Sequence, residues 1–122
     1  AVELRGGDRQ AFVNGQCTAN VKDAEPLDHL EACFTNKVGR AIDAARVTLL
    51  PDRALLLTSP GTCGALLQLM DLLIIREDVQ LADLRGLVAV FAVVGDAAGP
   101  ALSAALSLPS LPAPRRAVQG CF

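Results

Sequence analysis

Residues 30–58, LEACFTNKVGRAIDAARVTLLPDRALLLT, decide the fold. Leu30, Ala32 and Phe34 alternate with Glu31, Cys33 and Thr35, the period of two expected of a half-buried strand. Residues 36–39 are a turn, residues 40–50 resume as a strand, and Pro51-Asp52 interrupts it. The short aliphatic run at residues 54–58 then reads as the hairpin partner of that second strand. Three consecutive antiparallel strands are expected. A turn of this kind needs only its glycine, yet Lys37, Arg40 and Asp43 stand around Gly39 in a chain with only 20% charged residues. Those three charges are therefore the first candidates for function.

Upstream, residues 2–5 form a short strand that Gly6 and Gly7 break, and Asp8 is placed to cap a helix running to about Gly15. Ala11 and Phe12 give that helix a narrow apolar face, and Asn14-Gly15 offers the left-handed stop. A turn-rich stretch follows at residues 22–28, and His29, the only histidine, reads as a loop residue before the strand. No Cys, Ser or second His accompanies it in a catalytic arrangement. Downstream, Ser59 offers a helix cap, Pro60 fits a first helical turn, and Leu66, Leu67, Met70, Leu73 and Ile74 recur at helical spacing. Residues 79–84 and 87–94 are expected to be two more strands joined at Arg85-Gly86. The class is α+β, an antiparallel sheet with packed helices.

The 122 residues suit one domain, and 52% of them are apolar, enough to bury an aliphatic core. A net charge of −2 without a basic stripe argues against direct nucleic-acid binding. The longest uninterrupted apolar run, residues 87–94, is too short to span a bilayer, so no membrane association is expected. Nothing resembles an export leader, the missing initiator Met reads as a trimmed chain, and the expected location is the cytoplasm. Cys17, Cys33, Cys63 and Cys121 stand far apart with no C-x-x-C pair, so no metal site is expected. They read as free thiols, mostly buried, with Cys121 the most exposed.

The stretch FAVVGDAAGPAL, residues 91–102, repeats the pattern of VELRGGDRQAFV, residues 2–13: aliphatic strand, glycine, capping aspartate, small residues opening a helix. After Leu102 the chain enters LSLPSLPAPRRAVQGCF, a Pro-rich stretch without strand pattern, so a second copy begins and stops. The division expected is one folded unit over residues 1–106 and a Pro-rich tail or linker over residues 107–122. The pair Gly95 and Gly99 is expected to allow close packing against a strand.

The order LRGGDRQAFVNGQCTANV, then LEACFTNKVGRAIDAARVTLLPDRALLLTSPGT, a Leu-rich helix, VQLADL and AVFAVVGD resembles the amino-terminal half of the YgfZ/GcvT-like folate-binding family. The likeness covers residues 2–106. It implies half of a duplicated α+β domain of the T-protein type, with a funnel for tetrahydrofolate. One branch of the family, the aminomethyltransferases, passes a one-carbon unit to folate. The YgfZ branch supports iron-sulfur cluster assembly or repair and is linked to tRNA modification. The chain lacks the Lys-Gly-Cys-Tyr-x-Gly-Gln-Glu run of the second branch, and Ala44 stands where transferases carry a second acidic residue after Asp43.

A pterin presents a donor edge that a carboxylate accepts, and the glutamate tail of folate seeks Arg or Lys. Asp43 suits the first, Lys37 or Arg40 the second, and Phe34 offers a ring face. Asn36 lies in the same turn, and Gln16 with Thr18 falls where the family lines its funnel. The competing reading makes residues 36–39 a plain turn, with Asp43 paired to Arg46 along the strand and Gln16 and Thr18 hydrogen-bonding at the helix end. The leading functional expectation is a non-catalytic folate-binding accessory protein with iron-sulfur client proteins. The alternatives are a folate-dependent aminomethyltransferase and a non-catalytic dimeric interaction module. A homodimer is expected, because a second repeat cut short leaves sheet edge and apolar surface uncovered.

Overall fold

The structure is a computed structural model, and it describes residues 1–108. Five strands, β1 (Val2–Arg5), β2 (His29–Thr35), β3 (Ala41–Leu49), β4 (Ala54–Leu57) and β5 (Gln80–Asp83), form one antiparallel sheet in the order β2-β3-β4-β1-β5. Three helices, α1 (Arg9–Gln16), α2 (Cys63–Leu73) and α3 (Ala98–Ala105), complete the α+β architecture. The Pro-rich tail from residue 109, including Cys121, lies outside the described residues.

The alternation in β2 and β3 sorts residues to two faces. Leu30 opposes Val47, Ala32 opposes Ala45 and Phe34 opposes Asp43, and this face meets the helices. Val2 and Leu4 of β1 and Ala54 and Leu56 of β4 join it. Phe12 and Val13 of α1 and Cys63, Leu66 and Met70 of α2 cover it, forming one core around the fully buried Phe34, Leu4, Leu56 and Leu66. Burying each such side chain contributes about 1.5–3 kcal/mol. The opposite face, with Glu31, Cys33, Ala44 and Arg46, stays largely open.

The turn between β1 and α1 depends on Gly6. Its φ is +109°, and a Cβ there would lie 2.0 Å from the Asp78 carbonyl oxygen. Asp8 stands at the start of α1 but makes no side-chain cap bond. Its carboxylate instead accepts from the Asp78 N–H at 2.8 Å, while the Asp78 carboxylate accepts from the Gly7 N–H at 2.8 Å. The expected cap is thus replaced by a reciprocal clasp between two loops, which satisfies more than one backbone donor. Asn14-Gly15 does not stop the helix. Asn14 Oδ1 accepts from the Val21 and Lys22 N–H groups and so holds the following loop.

His29 is the first residue of β2 rather than a loop residue, and its Nδ1 lies 2.7 Å from Thr48 Oγ1 on β3. Burial and the charge of Arg46 pull its pKa below the usual value against the opposing charge of Glu31. The expected strand over residues 87–94 does not form. Strand-forming composition alone makes no strand where no neighbouring segment offers a ladder, and this run has no backbone hydrogen bond from Val88 to Val94 among the described residues. The second repeat therefore yields only its helix, α3, which buries no residue. Among the described residues Gly95 does not pack against a strand, and none of their atoms lies within 4 Å of the position of a Cβ there.

Candidate functional site

The hairpin between β2 and β3 is built by Asn36 and Gly39. Asn36 Oδ1 accepts from the Val38 and Arg40 N–H groups at 3.1 and 3.0 Å, and its backbone exchanges bonds with Arg40 and Gly39. Gly39 takes a φ of +77°, the left-handed conformation that the tip requires. The ladder register shifts between Phe34 and Thr35, which re-aims the turn. Lys37 and Arg40 are exposed on this frame and form no ion pair among the described residues.

Asp43 has a different situation. It lies on the core face of β3, is 5% exposed, and its carboxylate accepts from the Ser59 N–H at 3.1 Å and from Thr62 Oγ1 at 2.7 Å. Burial pushes its pKa up, but the hydrogen bonds from Ser59 and Thr62 outweigh it, and the net direction is down. Asp43 thereby ties β3 to the turn that leads into α2, and the residue before the helix, Thr62, makes no side-chain cap bond. The expected pairing of Asp43 with Arg46 does not occur. Residues three apart in a strand point to opposite faces, and Arg46 instead approaches Glu31 at 3.8 Å on the open side.

Phe34 sits opposite Asp43 and is wholly buried, so its ring supports the hairpin from within the core. Gln16 ends α1, and the next residue, Cys17, bridges to Phe34, which places Gln16 at the hairpin end of the sheet. Gln16 borders a 390 Å³ depression with Asp8, Ala11, Phe12, Gly15 and Glu77, and no hairpin residue lines it. Thr18 Oγ1 accepts from the Cys33 N–H at 3.0 Å, tying this segment to the edge of β2. The candidates therefore divide: Lys37, Arg40 and Gln16 present polar groups outward, Asn36 shapes the turn, and Asp43 and Phe34 hold its base.

Sequence reading missed the trough over the open face of the sheet. One 330 Å³ cavity is lined by Ala44, Arg46, Leu57, Thr58, Ser59, Pro60, Ala1 and Val90, and a second by Glu31, Ala32, Cys33, Ala44 and Arg46. Ala44 and Arg46 border both. The alternation in β2 and β3 already separates Glu31, Cys33, Ala44 and Arg46 from the core set, which is the signal that identifies this face. Glu3 adds a nearly buried carboxylate held between Arg5 at 2.6 Å and Arg53 at 3.0 Å. Cys17, Cys33 and Cys63 are free thiols, and burial raises the pKa of Cys17. No group of three or more His, Cys, Asp or Glu side chains among the described residues is placed to hold a metal, and no described helix is long and apolar enough to cross a membrane.

No protein-family model matches the chain. It is 27% identical over 95 residues to a candidate chloroplastic transferase of Arabidopsis thaliana, covering 77% of this chain and 22% of that protein. Its structure is similar to the crystal structure of the glycine cleavage system aminomethyltransferase T from Bartonella henselae, with a TM-score of 0.61 and 14% identity. That match covers 66% of this chain and 22% of the other, so the chain spans about a fifth of the length of either relative. The α+β fold is that of part of the aminomethyltransferase T structure.

Proposed function

We propose that this chain is a folate-binding unit of the T-protein type, serving as an accessory protein in iron-sulfur cluster assembly or repair and linked through that role to tRNA modification. The shared fold supports the reading, and the hairpin carries it: Lys37 and Arg40 stand at an exposed tip without anionic partners among the described residues. Two such cations suit the glutamate tail of a tetrahydrofolate. The pterin end finds less here, because the Asp43 carboxylate is already hydrogen-bonded and the Phe34 ring is enclosed. The proposal therefore assigns contact with the tail to Lys37 and Arg40, with Gln16 alongside, and support of the hairpin to Asn36, Phe34 and Asp43.

Catalytic aminomethyl transfer is the second reading, favoured by the fold likeness to an aminomethyltransferase. Ala44 in place of a second acid beside Asp43 weighs against it, and no turnover of an aminomethyl donor is expected. Calorimetric titration of the 122-residue chain with 5-formyltetrahydrofolate tests both. Saturable micromolar binding, weakened at least tenfold in a Lys37→Glu, Arg40→Glu double variant with unchanged circular dichroism, supports the proposal. Absence of saturable binding up to millimolar ligand removes it.

A further inference from the structure

Residues 32–42, ACFTNKVGRAI, carry two cations and no acid. The acids that bound this stretch are engaged elsewhere. Glu31 faces Arg46 at 3.8 Å on the open side of the sheet, and the Asp43 carboxylate is buried against Ser59 and Thr62. Residues 109–122 contain no Asp or Glu, so they bring no acidic side chain to the tip either. Lys37 and Arg40 therefore concentrate positive charge on a chain whose net charge is −2. Their backbone is fixed by Asn36 Oδ1, which accepts from the Val38 and Arg40 N–H groups. Beside the hairpin, the Thr18 N–H donates to the Cys33 carbonyl at 3.0 Å and the Cys33 N–H donates to Thr18 Oγ1 at 3.0 Å. With the antiparallel bridge of Cys17 to Phe34, these bonds set Gln16 on the Thr35 side, and its amide has no hydrogen-bond partner among the described residues.

We propose, resting on the folate reading above, that this tip recognises the γ-glutamyl tail of a pteroyl compound by its number of carboxylates and does not distinguish the oxidation state of the ring. Recognition of a pterin needs a free carboxylate or amide edge and an apolar slot. Here Asp43 is 5% exposed with both oxygens engaged, and Phe34 is wholly enclosed. Between the two cations stands Val38, 84% exposed on the outside of a turn, which gives a ring no slot. A γ-glutamyl tail alternates carboxylates with amides, and the groups on offer match it: Lys37 and Arg40 for the carboxylates, Gln16 for an amide. An exposed contact of this kind changes affinity by up to about fivefold, so selection by carboxylate count is graded rather than absolute. Because the charges are exposed, salt weakens the selection.

The test is calorimetric titration of the 122-residue chain at about 50 and about 500 mM salt. The ligands are pteroic acid with one carboxylate, folic acid and 5-formyltetrahydrofolate with two, and pteroyltri-γ-glutamate with four. At low salt the two folates should bind within about twofold of each other, pteroic acid roughly fivefold more weakly and the triglutamate roughly fivefold more tightly. At high salt this gradient should largely vanish. A preference above about fivefold for either ring form overturns the inference, because the ring is then recognised. Pteroic acid binding as tightly as folic acid, a triglutamate binding no tighter, or a gradient unchanged by salt overturns it too. In each of those outcomes saturable binding leaves the folate reading standing. No saturable binding by any of the compounds up to millimolar concentration removes both.

Discussion

Removing the Asp43 carboxylate should loosen the joint between β3 and α2 more than any surface change nearby. The side chain is 5% exposed and accepts from the Ser59 N–H and from Thr62 Oγ1. Hydrogen bonds to a charged group contribute roughly 1.5–3 kcal/mol each, and two that share one carboxylate add less than fully. Asp43→Ala should cost about 3 kcal/mol, and Asp43→Asn, which keeps one acceptor, about 1–2 kcal/mol. For a unit of this size the alanine variant should melt about 15 °C lower. The pKa of Asp43 is lowered in the folded chain from a value of 3.8. Its stabilisation is accordingly full above the unfolded carboxylate value and is lost as pH falls through the folded one. Circular dichroism melts at pH 7 and near pH 2.5 read both effects. A loss under 0.5 kcal/mol at pH 7, or a gap between parent and Asp43→Asn that does not narrow at pH 2.5, would refute the anchoring role.

Two further substitutions probe other joints of the same sheet. Gly6→Ala should destabilise by about 3 kcal/mol or prevent folding, since it adds a Cβ at positive φ against the Asp78 carbonyl, whereas Gly15→Ala, with open space around it, should be neutral or slightly stabilising in a urea titration. Glu3→Gln should cost about 1–2 kcal/mol at pH 7 by leaving Arg5 and Arg53 without their shared carboxylate. The hydrogen bond from Arg5, working against burial and joined by Arg53, lowers the Glu3 pKa, so this cost should fade on acidification below the ordinary carboxylate range.

The hairpin strands and the helix α2 were legible because local periodicity records which side each residue faces. Leu30, Ala32 and Phe34 needed no distant partner to be assigned to the core. Asp8 and Asp78 could not be matched in this way, since their clasp spans 70 residues and depends on how two loops approach. Asp43 was recognised as unusual for its charge, but its partners Ser59 and Thr62 lie beyond a whole hairpin, so a ligand and a local ion pair were the visible choices. The same strand period that located Phe34 already places Arg46 on the face opposite Asp43. Residues 87–94 show the limit from the other side: β-branched composition records a capacity for pairing, while the ladder requires a second segment. Lys37 and Arg40 were legible as surplus charges on a turn that Asn36 and Gly39 already build.

The most direct measurement of the folate reading is a map of amide shifts by two-dimensional NMR as 5-formyltetrahydrofolate is added to the isotope-labelled chain. The account predicts saturable shifts concentrated at Asn36, Lys37, Val38, Gly39 and Arg40 with Gln16 beside them. Shifts confined to the open face around Ala44 and Arg46, or none that saturate, would contradict it.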